Sequence, residues 1–254
     1  MREFIGAVGL QARLLSRKPD DLMLLFTTPL VTVVFISIFT HAHRGDLGPY
    51  AVVAPAMMAV FQMSLFVSGE LIGAERQNGL FEATLTTPAQ YSAVLFGRTL
   101  TVTVVSFLSL AESIIVGAIL GVVVHVYHPL VFAGTLVTTA FAMTGTAGAM
   151  AALFVVSRNT RTFQNALSYP FFVLGGVIVP ITFLPVFIQP LSWIVFLSWS
   201  SDLLRDSLAA PEVASVWWRL GAVVGLGLIA LVVGESLLRW TLKRTRVDGT
   251  MGLA

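Results

Sequence analysis

Long apolar runs separated by short polar stretches dominate the pattern of this 254-residue chain. Two stretches, residues 113–157 and 162–201, contain no Asp, Glu, Lys or Arg. Because about 20 apolar residues cross the hydrocarbon core of a bilayer, each stretch is long enough for one crossing and much of a second. The pattern predicts an all-α polytopic membrane protein, with a single transmembrane domain over residues 1–254 and six spans. Their predicted bounds are residues 22–39, 50–69, 99–124, 130–156, 166–184 and 217–238.

Composition narrows the class further. The chain is 56% hydrophobic and 11% charged, whereas soluble domains carry about 25% charged residues. These values exclude a cytosolic enzyme, a disordered chain and a protein with a large soluble half. The absence of cysteine from the sequence excludes disulfides, thiolate chemistry and cysteine-ligated metals. A formal net charge of +2 is too small to suggest nucleic acid as a partner.

The cations indicate how the chain is oriented. With the N-terminus inside and six spans, only Arg44, Arg205 and Arg219 fall on the outer side. Cytoplasmic loops attract Lys and Arg in this way. We therefore predict a multi-pass protein of the cell membrane with both termini in the cytoplasm. The cations predicted on the inner side are Arg2, Arg13, Arg17, Lys18, Arg76, Arg98, Arg158, Arg161, Arg239, Lys243, Arg244 and Arg246.

The fifth apolar run is too long for one straight span. An unbroken helix over residues 166–200 would extend about 52 Å, whereas the hydrocarbon core is about 30 Å thick. We predict a span that ends near Leu184, then a short hairpin over residues 185–200 that re-enters the outer leaflet. The alternative is one kinked span followed by an apolar interfacial loop. Ser201 is predicted to cap a small polar helix, residues 202–208, on the outer surface. The interrupting residues are Gly175, Gly176, Pro180, Pro185 and Pro190.

The first twenty residues predict an amphipathic helix at the inner membrane surface. Ile5, Val8, Ala12 and Leu15 share one helical face, and most of the polar and basic residues lie on the rest. The alternative is a solvated leader, since short isolated helices are marginal in water.

The loop between the second and third spans predicts a short helix with an apolar face. Asn78 and Gly79 can begin it, Glu82 falls in its first turn and Pro88 ends it. A solvated linker has no use for such a face, so we interpret it as a helix that docks in a partner's groove. The alternative is that the face lies on lipid. The face consists of Leu80, Phe81, Thr84 and Leu85.

Two stretches carry a resemblance to a known family. One is Glu75-Arg76-Gln77-Asn78-Gly79, followed by Glu82, Leu85 and Thr87-Pro88. The other is Gly175-Gly176, Pro180, Leu184-Pro185, Gln189-Pro190-Leu191 and Asp202-Leu203-Leu204-Arg205. They resemble the cytoplasmic loop and the second signature of type-2 ABC transporter permeases, the ABC-2 exporters. Within that family the chain looks closest to permeases of the daunorubicin, drug-resistance type.

The resemblance implies a pair of permeases, identical or paralogous, that works with two copies of a separate ATP-binding subunit. Each permease would dock on that subunit through a coupling helix, and ATP and Mg would bind only there. The basic N-terminal segment would be the family's connecting helix, and the outer hairpin would cap the pathway. The coupling residues would be Glu75, Arg76, Gly79, Leu80, Phe81, Glu82, Leu85 and Pro88; the outer-gate residues would be Pro180, Pro185, Pro190, Asp202 and Arg205.

The sequence itself argues against an enzyme. A phosphate-binding loop needs Gly-Lys before Ser or Thr, but Lys18 follows Arg17 and Lys243 follows Leu242. ATP hydrolysis must therefore come from another polypeptide. A rhomboid-like protease is excluded because no Gly-x-Ser-Gly occurs. An ATP-independent secondary transporter or a ligand-binding membrane module stays open as the alternative.

Glu112 is the acidic residue predicted to lie deepest in a span, near the middle of the third. A charge at a helix centre costs about 2.5–3.5 kcal/mol, so it should face protein or water. It is either a group that attracts cations in the pathway or a structural partner of Ser or Thr on a neighbouring helix. Small residues in the fourth span predict a helix-packing seam. The histidines at positions 41, 43, 125 and 128 do not predict a metal site.

Overall fold

The computed structural model describes residues 2–17, 22–43, 47–77, 91–154, 160–209 and 211–247, and all the regular structure in these ranges is helical. A 3₁₀ turn, Ile181–Phe183, lies between α7 and α8. The helices are α1 Arg2–Arg17, α2 Met23–His41, α3 Gly48–Gln77, α4 Tyr91–Ser106, α5 Leu108–Ile119, α6 Pro129–Phe154, α7 Thr160–Leu174, α8 Gln189–Ser192, α9 Phe196–Ser207 and α10 Val216–Val247.

Five stretches of helix are long and apolar enough to cross a membrane, and they correspond to five of the six predicted spans. The predicted third span is interrupted at Phe107, which separates α4 from α5. The five stretches are Met23–His41, Gly48–Gly69, Ser92–Ile119, Pro129–Leu153 and Val216–Trp240.

The predicted fifth span differs most from the structure. Its helix, α7, begins at Thr160 and ends at Leu174 rather than near Leu184. At 15 residues it extends about 22 Å, less than the hydrocarbon core. The helix ends where Gly176 adopts a φ of +60°, a conformation that favours glycine. The expectation that residues 175–184 continue the span as helix is therefore wrong.

Helix α3 forms the centre of the molecule. It packs against α2, α4, α5, α6, α7 and α9, and its side chains are mostly buried, whereas those of α2 and α10 are mostly not. Phe61 of α3 stacks on Phe171 at 5.1 Å between ring centroids and meets Phe172 edge-on at 5.5 Å. The apolar outer faces of α2 and α10 have the character of lipid-facing helices.

Helices α6 and α10 pack closely through small residues, as the sequence predicts. A Cβ added at Gly145 would lie 2.7 Å from the carbonyl oxygen of Gly227, and one added at Gly227 would lie 2.8 Å from Cα of Ala142. Only residues without larger side chains permit this approach. The seam holds α10 against α6 without any charged group.

Helix α1 packs on α4 with a face that differs from the predicted one. Ala7, Gln11 and Leu15 are buried, whereas Ile5 is 63% exposed. Gln11 turns inward because its Oε1 accepts a hydrogen bond from Nε of Arg98 at 2.9 Å. Ile5, which the sequence assigns to the face that lies on the membrane, is thus left exposed and does not belong to the face packed on α4. The predicted position of α1 at the membrane surface stays a prediction.

Candidate functional site

The residues predicted to dock on a partner lie at and beyond the C-terminal end of α3. Glu75 and Arg76 belong to the last turn of α3, which ends at Gln77. Gly79, Leu80, Phe81, Glu82, Leu85 and Pro88 lie outside the described residues. Since α4 begins at Tyr91, the segment 78–90 joins α3 to α4, and α1 is bonded to α4 through Gln11 and Arg98.

The second predicted site, residues 175–207, consists of turns and two short helices. Pro180 comes directly before the 3₁₀ turn Ile181–Phe183. Pro185 begins the next turn, where its carbonyl accepts a hydrogen bond from the Ile188 amide at 2.8 Å, and Pro190 lies in the first turn of α8. Each proline thus lies at the start of a turn, where its fixed φ fits and its missing N–H costs little.

Ser201 does not cap a helix, contrary to the prediction. Helix α9 begins earlier, at Phe196, so Ser201 lies inside the helix and is buried. Its hydroxyl donates to the carbonyl of Gly175 at 2.9 Å. The buried apolar residues Phe196 and Leu197 extend the helix toward its N-terminus, because they pack into the core around α3.

Arg205 is the centre of this segment. Its side chain is 4% exposed, and Nη2 donates to the carbonyls of Gly176 at 2.7 Å and Val177 at 3.0 Å. Nη1 donates to Oδ1 of Asp202 at 3.2 Å. The guanidinium also lies over the ring of Tyr50, 3.8 Å from its centroid. We call these five residues the Arg205 cluster.

In the Arg205 cluster, the guanidinium donates several hydrogen bonds at once. The carbonyls that follow the end of α7 carry partial negative charge, which a cation stabilises. Burial raises the pKa of Asp202, and Arg205 and Arg219 act against that effect. Desolvation of Asp202 therefore outweighs the attraction to the two arginines. Burial also lowers the pKa of Arg205, but from so high a value that the group stays charged.

A second set of contacts holds the end of α9. Arg219 of α10 forms an ion pair with Asp206, and the His128 amide donates to the carbonyl of Ser207 at 3.1 Å. His128 also places Nε2 3.0 Å from the carbonyl oxygen of Pro211. The segment is thus attached to α3, α6 and α10 near the N-terminal end of α3.

The same segment exposes large apolar side chains between its fixed ends. Phe187 is 80% exposed. Such a concentration of exposed apolar surface is typical of a region that contacts lipid or another protein. The exposed residues are Phe183, Val186, Phe187, Leu191, Trp193 and Ile194.

Glu112 lies in a different environment, on α5. It is about 10 Å along the axis from the end of α5 at Ile119, so it is nearer one end of the span than the sequence predicts. Its Oε2 is buried and has no hydrogen-bond partner among the described residues. The adjacent Ser113, by contrast, is bonded to Thr32 of α2 at 3.0 Å.

Comparison with known protein families identifies the family of this chain. The family model described as ABC-2 type transporter matches residues 10–209. This chain belongs to that family. It is therefore a membrane component of an ABC transporter, and not itself the catalytic subunit. Comparison with curated proteins finds no match, so the resemblance to drug-resistance permeases stays a prediction.

Hydroxyl groups connect the central helices of this ABC-2 permease. Ser64 of α3 lies 2.9 Å from the hydroxyl of Thr103 on α4, and Ser109 of α5 donates to the carbonyl of Ala56 at 3.2 Å. Hydrogen bonds of this kind stabilise helix pairs within membranes by about 0.6 kcal/mol on average. The third span is therefore fixed to α3 on both sides of the break at Phe107.

The permease also contains site residues that sequence reasoning did not find. Tyr50, Asp206 and Arg219 complete the attachments of the 175–207 segment. Tyr50 stands at the start of a predicted span, where an aromatic residue is ordinary, so nothing local distinguishes it. Their role depends on contacts between residues far apart in the chain. Among the described residues, no three His, Asp or Glu side chains lie together as metal ligands would.

Proposed function

We propose that this chain is the membrane-spanning permease subunit of an ATP-driven exporter that moves an amphipathic substrate out across the cell membrane. The observation that carries the proposal is the match of residues 10–209 to the ABC-2 family. Permeases of this family generally work with an ATP-binding subunit. The proposed complex contains two permeases, identical or paralogous, and two ATP-binding subunits, which supply ATP and Mg.

The docking site in this proposal is the segment 78–90 with the last turn of α3. Phe81 and Leu85 would enter a groove of the ATP-binding subunit, and Glu75 and Glu82 would flank them with charge. Closure of that subunit on ATP would push on the segment and tilt the first, second and fifth predicted spans. The continuity of α3 into this segment supports the proposal, because a push there acts directly on the central helix.

In the same proposal, both termini lie in the cytoplasm and the 175–207 segment lies at the outer face as a gate. Pro180, Pro185 and Pro190 shape its turns, and Asp202 and Arg205 hold it. The exposed apolar side chains around Phe187 support contact of this segment with the outer leaflet. The charge asymmetry of the loops supports this orientation.

The proposed substrate class is amphipathic: a drug, a lipid-like molecule or a glycolipid. Apolar surface with few ionic groups suits such cargo. Glu112 is proposed as the residue that attracts a positively charged group of the cargo. The unpartnered Oε2 supports this role over a structural one, because a residue that joins helices should have its partner within the described bundle.

The test uses the permease co-expressed with its ATP-binding subunit and reconstituted into liposomes. Phe81→Ala and Glu82→Gln should each reduce ATP-dependent transport while the permease still inserts and folds, because they remove contact and charge at the docking site. Glu212→Gln is the matched control, since Glu212 is exposed and far along the chain from the segment. Normal transport by both variants would overturn the docking assignment.

The alternative function is an ATP-independent secondary transporter or a ligand-binding membrane module. It predicts substrate movement by the purified chain alone, without ATP and without a second subunit. Stable co-purification with an ATP-binding protein favours the exporter.

A further inference from the structure

Helix α3 connects the two ends of the molecule. It has 30 residues, which corresponds to about 45 Å. One end continues into the segment 78–90, and the other carries Tyr50. Pro55 removes one backbone hydrogen bond near the Tyr50 end, but the neighbouring residues 51–57 are all buried, which holds this part of the helix in place.

A side chain of α9 contacts both that end of α3 and the turn after α7, in addition to the apolar packing of Val177 in the core around α3. The guanidinium of Arg205 lies over the ring of Tyr50 at 3.8 Å, well within the range of a cation–π contact. The same guanidinium holds the carbonyls of Gly176 and Val177. The amide of Val177 in turn donates to Phe172 of α7 at 3.0 Å, so the turn is bonded on both sides.

The polar and aromatic contacts between α3 and α7 itself lie before this turn, and Val177 of the turn packs in the same apolar core as α3. Gln164 donates from Nε2 to the carbonyl of Leu65 at 2.9 Å, and Phe61 packs on the two phenylalanines of α7. These contacts hold α7 itself. Beyond Leu174, α9 packs on α3 with apolar side chains. Apolar contacts are not directional, whereas the hydrogen bonds of Arg205 fix an orientation.

We propose that Tyr50 and Arg205 clamp the turn at Gly176 to α3, so that the 175–207 segment follows any movement of α3. Tyr50 and Arg205 are positioning residues in this proposal, because they act on the gate and not on the cargo. This proposal depends on the proposed function in one respect only: the movement of α3 would originate from ATP-driven displacement of the segment 78–90.

The first experiment uses the permease alone in lipid nanodiscs. The sequence has no cysteine, so spin labels at Ala42→Cys, at the end of α2, and at Phe187→Cys report the distance across the clamp. We expect a narrow distance distribution that broadens in Tyr50→Leu and is unchanged in Tyr50→Phe, which keeps the ring. Tyr127→Leu is the matched control, because Tyr127 is 54% exposed. A Tyr50→Leu distribution as narrow as that of the parent would overturn the clamp.

The second experiment adds the ATP-binding subunit and ATP. An ATP-dependent shift of the same distance is expected in the parent and in Tyr50→Phe. It should be lost in Tyr50→Leu while ATP hydrolysis continues, a separation that a merely structural role would not produce. Loss of hydrolysis together with the shift would contradict the clamp. Absence of the shift from the parent would count against the proposed function, and the first experiment would still decide the clamp.

A further variant guards against misfolding of Tyr50→Leu. Arg205→Lys keeps a cation near the ring but cannot reach both carbonyls and Asp202 with one planar group. We expect its distance distribution to be broader than that of the parent. A distribution identical to the parent's would overturn the part assigned to Arg205.

Discussion

Two ionisable side chains of this permease have opposite surroundings. Arg205 is buried and bonded to two carbonyls, a carboxylate and an aromatic ring. Glu112 has a buried oxygen with no hydrogen-bond partner among the described residues. Two of the three nitrogens of the Arg205 guanidinium have partners and only Nε has none among the described residues, whereas ionisable groups in a membrane span are candidates for a functional partner. In the function proposed above, Arg205 holds the structure and Glu112 attracts the cargo.

The largest expected effect follows removal of the Arg205 charge. Arg205→Met keeps much of the volume but leaves Asp202 and the carbonyls of Gly176 and Val177 without their donor. Leaving a buried polar group without its partner costs about 1–3 kcal/mol for each group, and Asp202, whose side chain is 41% exposed, contributes least. The thermal unfolding temperature of the purified permease should fall sharply, and less of the protein should reach the membrane. If Arg205→Met unfolded at the same temperature as the parent, Arg205 would not have the structural role described above.

A smaller loss of stability is expected at the seam between α6 and α10, where the packing involves no charge. Its size gives a reference for the loss expected in Arg205→Met. Gly227→Ala places a Cβ 2.8 Å from Cα of Ala142, and overpacking of this kind costs about 1–3 kcal/mol. Gly134→Ala is the matched control, because its added Cβ lies 3.8 Å from the nearest atom, Cδ1 of Leu220. Thermal unfolding should separate the two variants. Equal unfolding temperatures would show that the α6–α10 seam is not tightly packed.

The smallest effect on stability is expected at Glu112. Glu112→Gln removes a carboxylate whose Oε2 has no hydrogen-bond partner among the described residues, so the unfolding temperature should stay the same or rise. Transport of a cationic amphiphile should fall while transport of a neutral analogue persists. Retained export of cationic cargo would remove Glu112 from the pathway, and a large loss of stability would make it structural.

The sequence predicts the helices better than it predicts their attachments. Apolar runs locate five stretches of helix of membrane-spanning length, and the glycine and proline pattern predicts a break in the fifth run but places it near Leu184 instead of Leu174. Helix α7 ends just before Gly176, because the positive φ of Gly176 does not fit an α-helix. The Ser201 cap is wrong because the hydroxyl of Ser201 bonds inside the molecule to the distant carbonyl of Gly175, and the burial of Gln11 likewise depends on distant Arg98. No local periodicity encodes such contacts.

The residues of the candidate site divide in the same way, into those that the sequence indicates and those that only the contacts reveal. Arg205 and Asp202 are named through the resemblance to ABC-2 permeases, and their role at an outer gate stays a prediction. Tyr50 could not be found in this way, since its importance comes from an arginine far along the chain. The predicted docking residues Gly79 to Pro88 lie outside the described residues, so their role remains a prediction.

The most direct test of the account is photocrosslinking from position 81 in intact membranes. A benzoylphenylalanine in place of Phe81 should crosslink to a protein that contains a phosphate-binding loop, Gly-x-x-x-x-Gly-Lys-Ser or -Thr, identified by mass spectrometry. The same probe at Phe26, which is 75% exposed on the outer face of α2, should give no such product. Crosslinks from position 81 to lipid alone would contradict a permease that docks on an ATP-binding subunit through this segment.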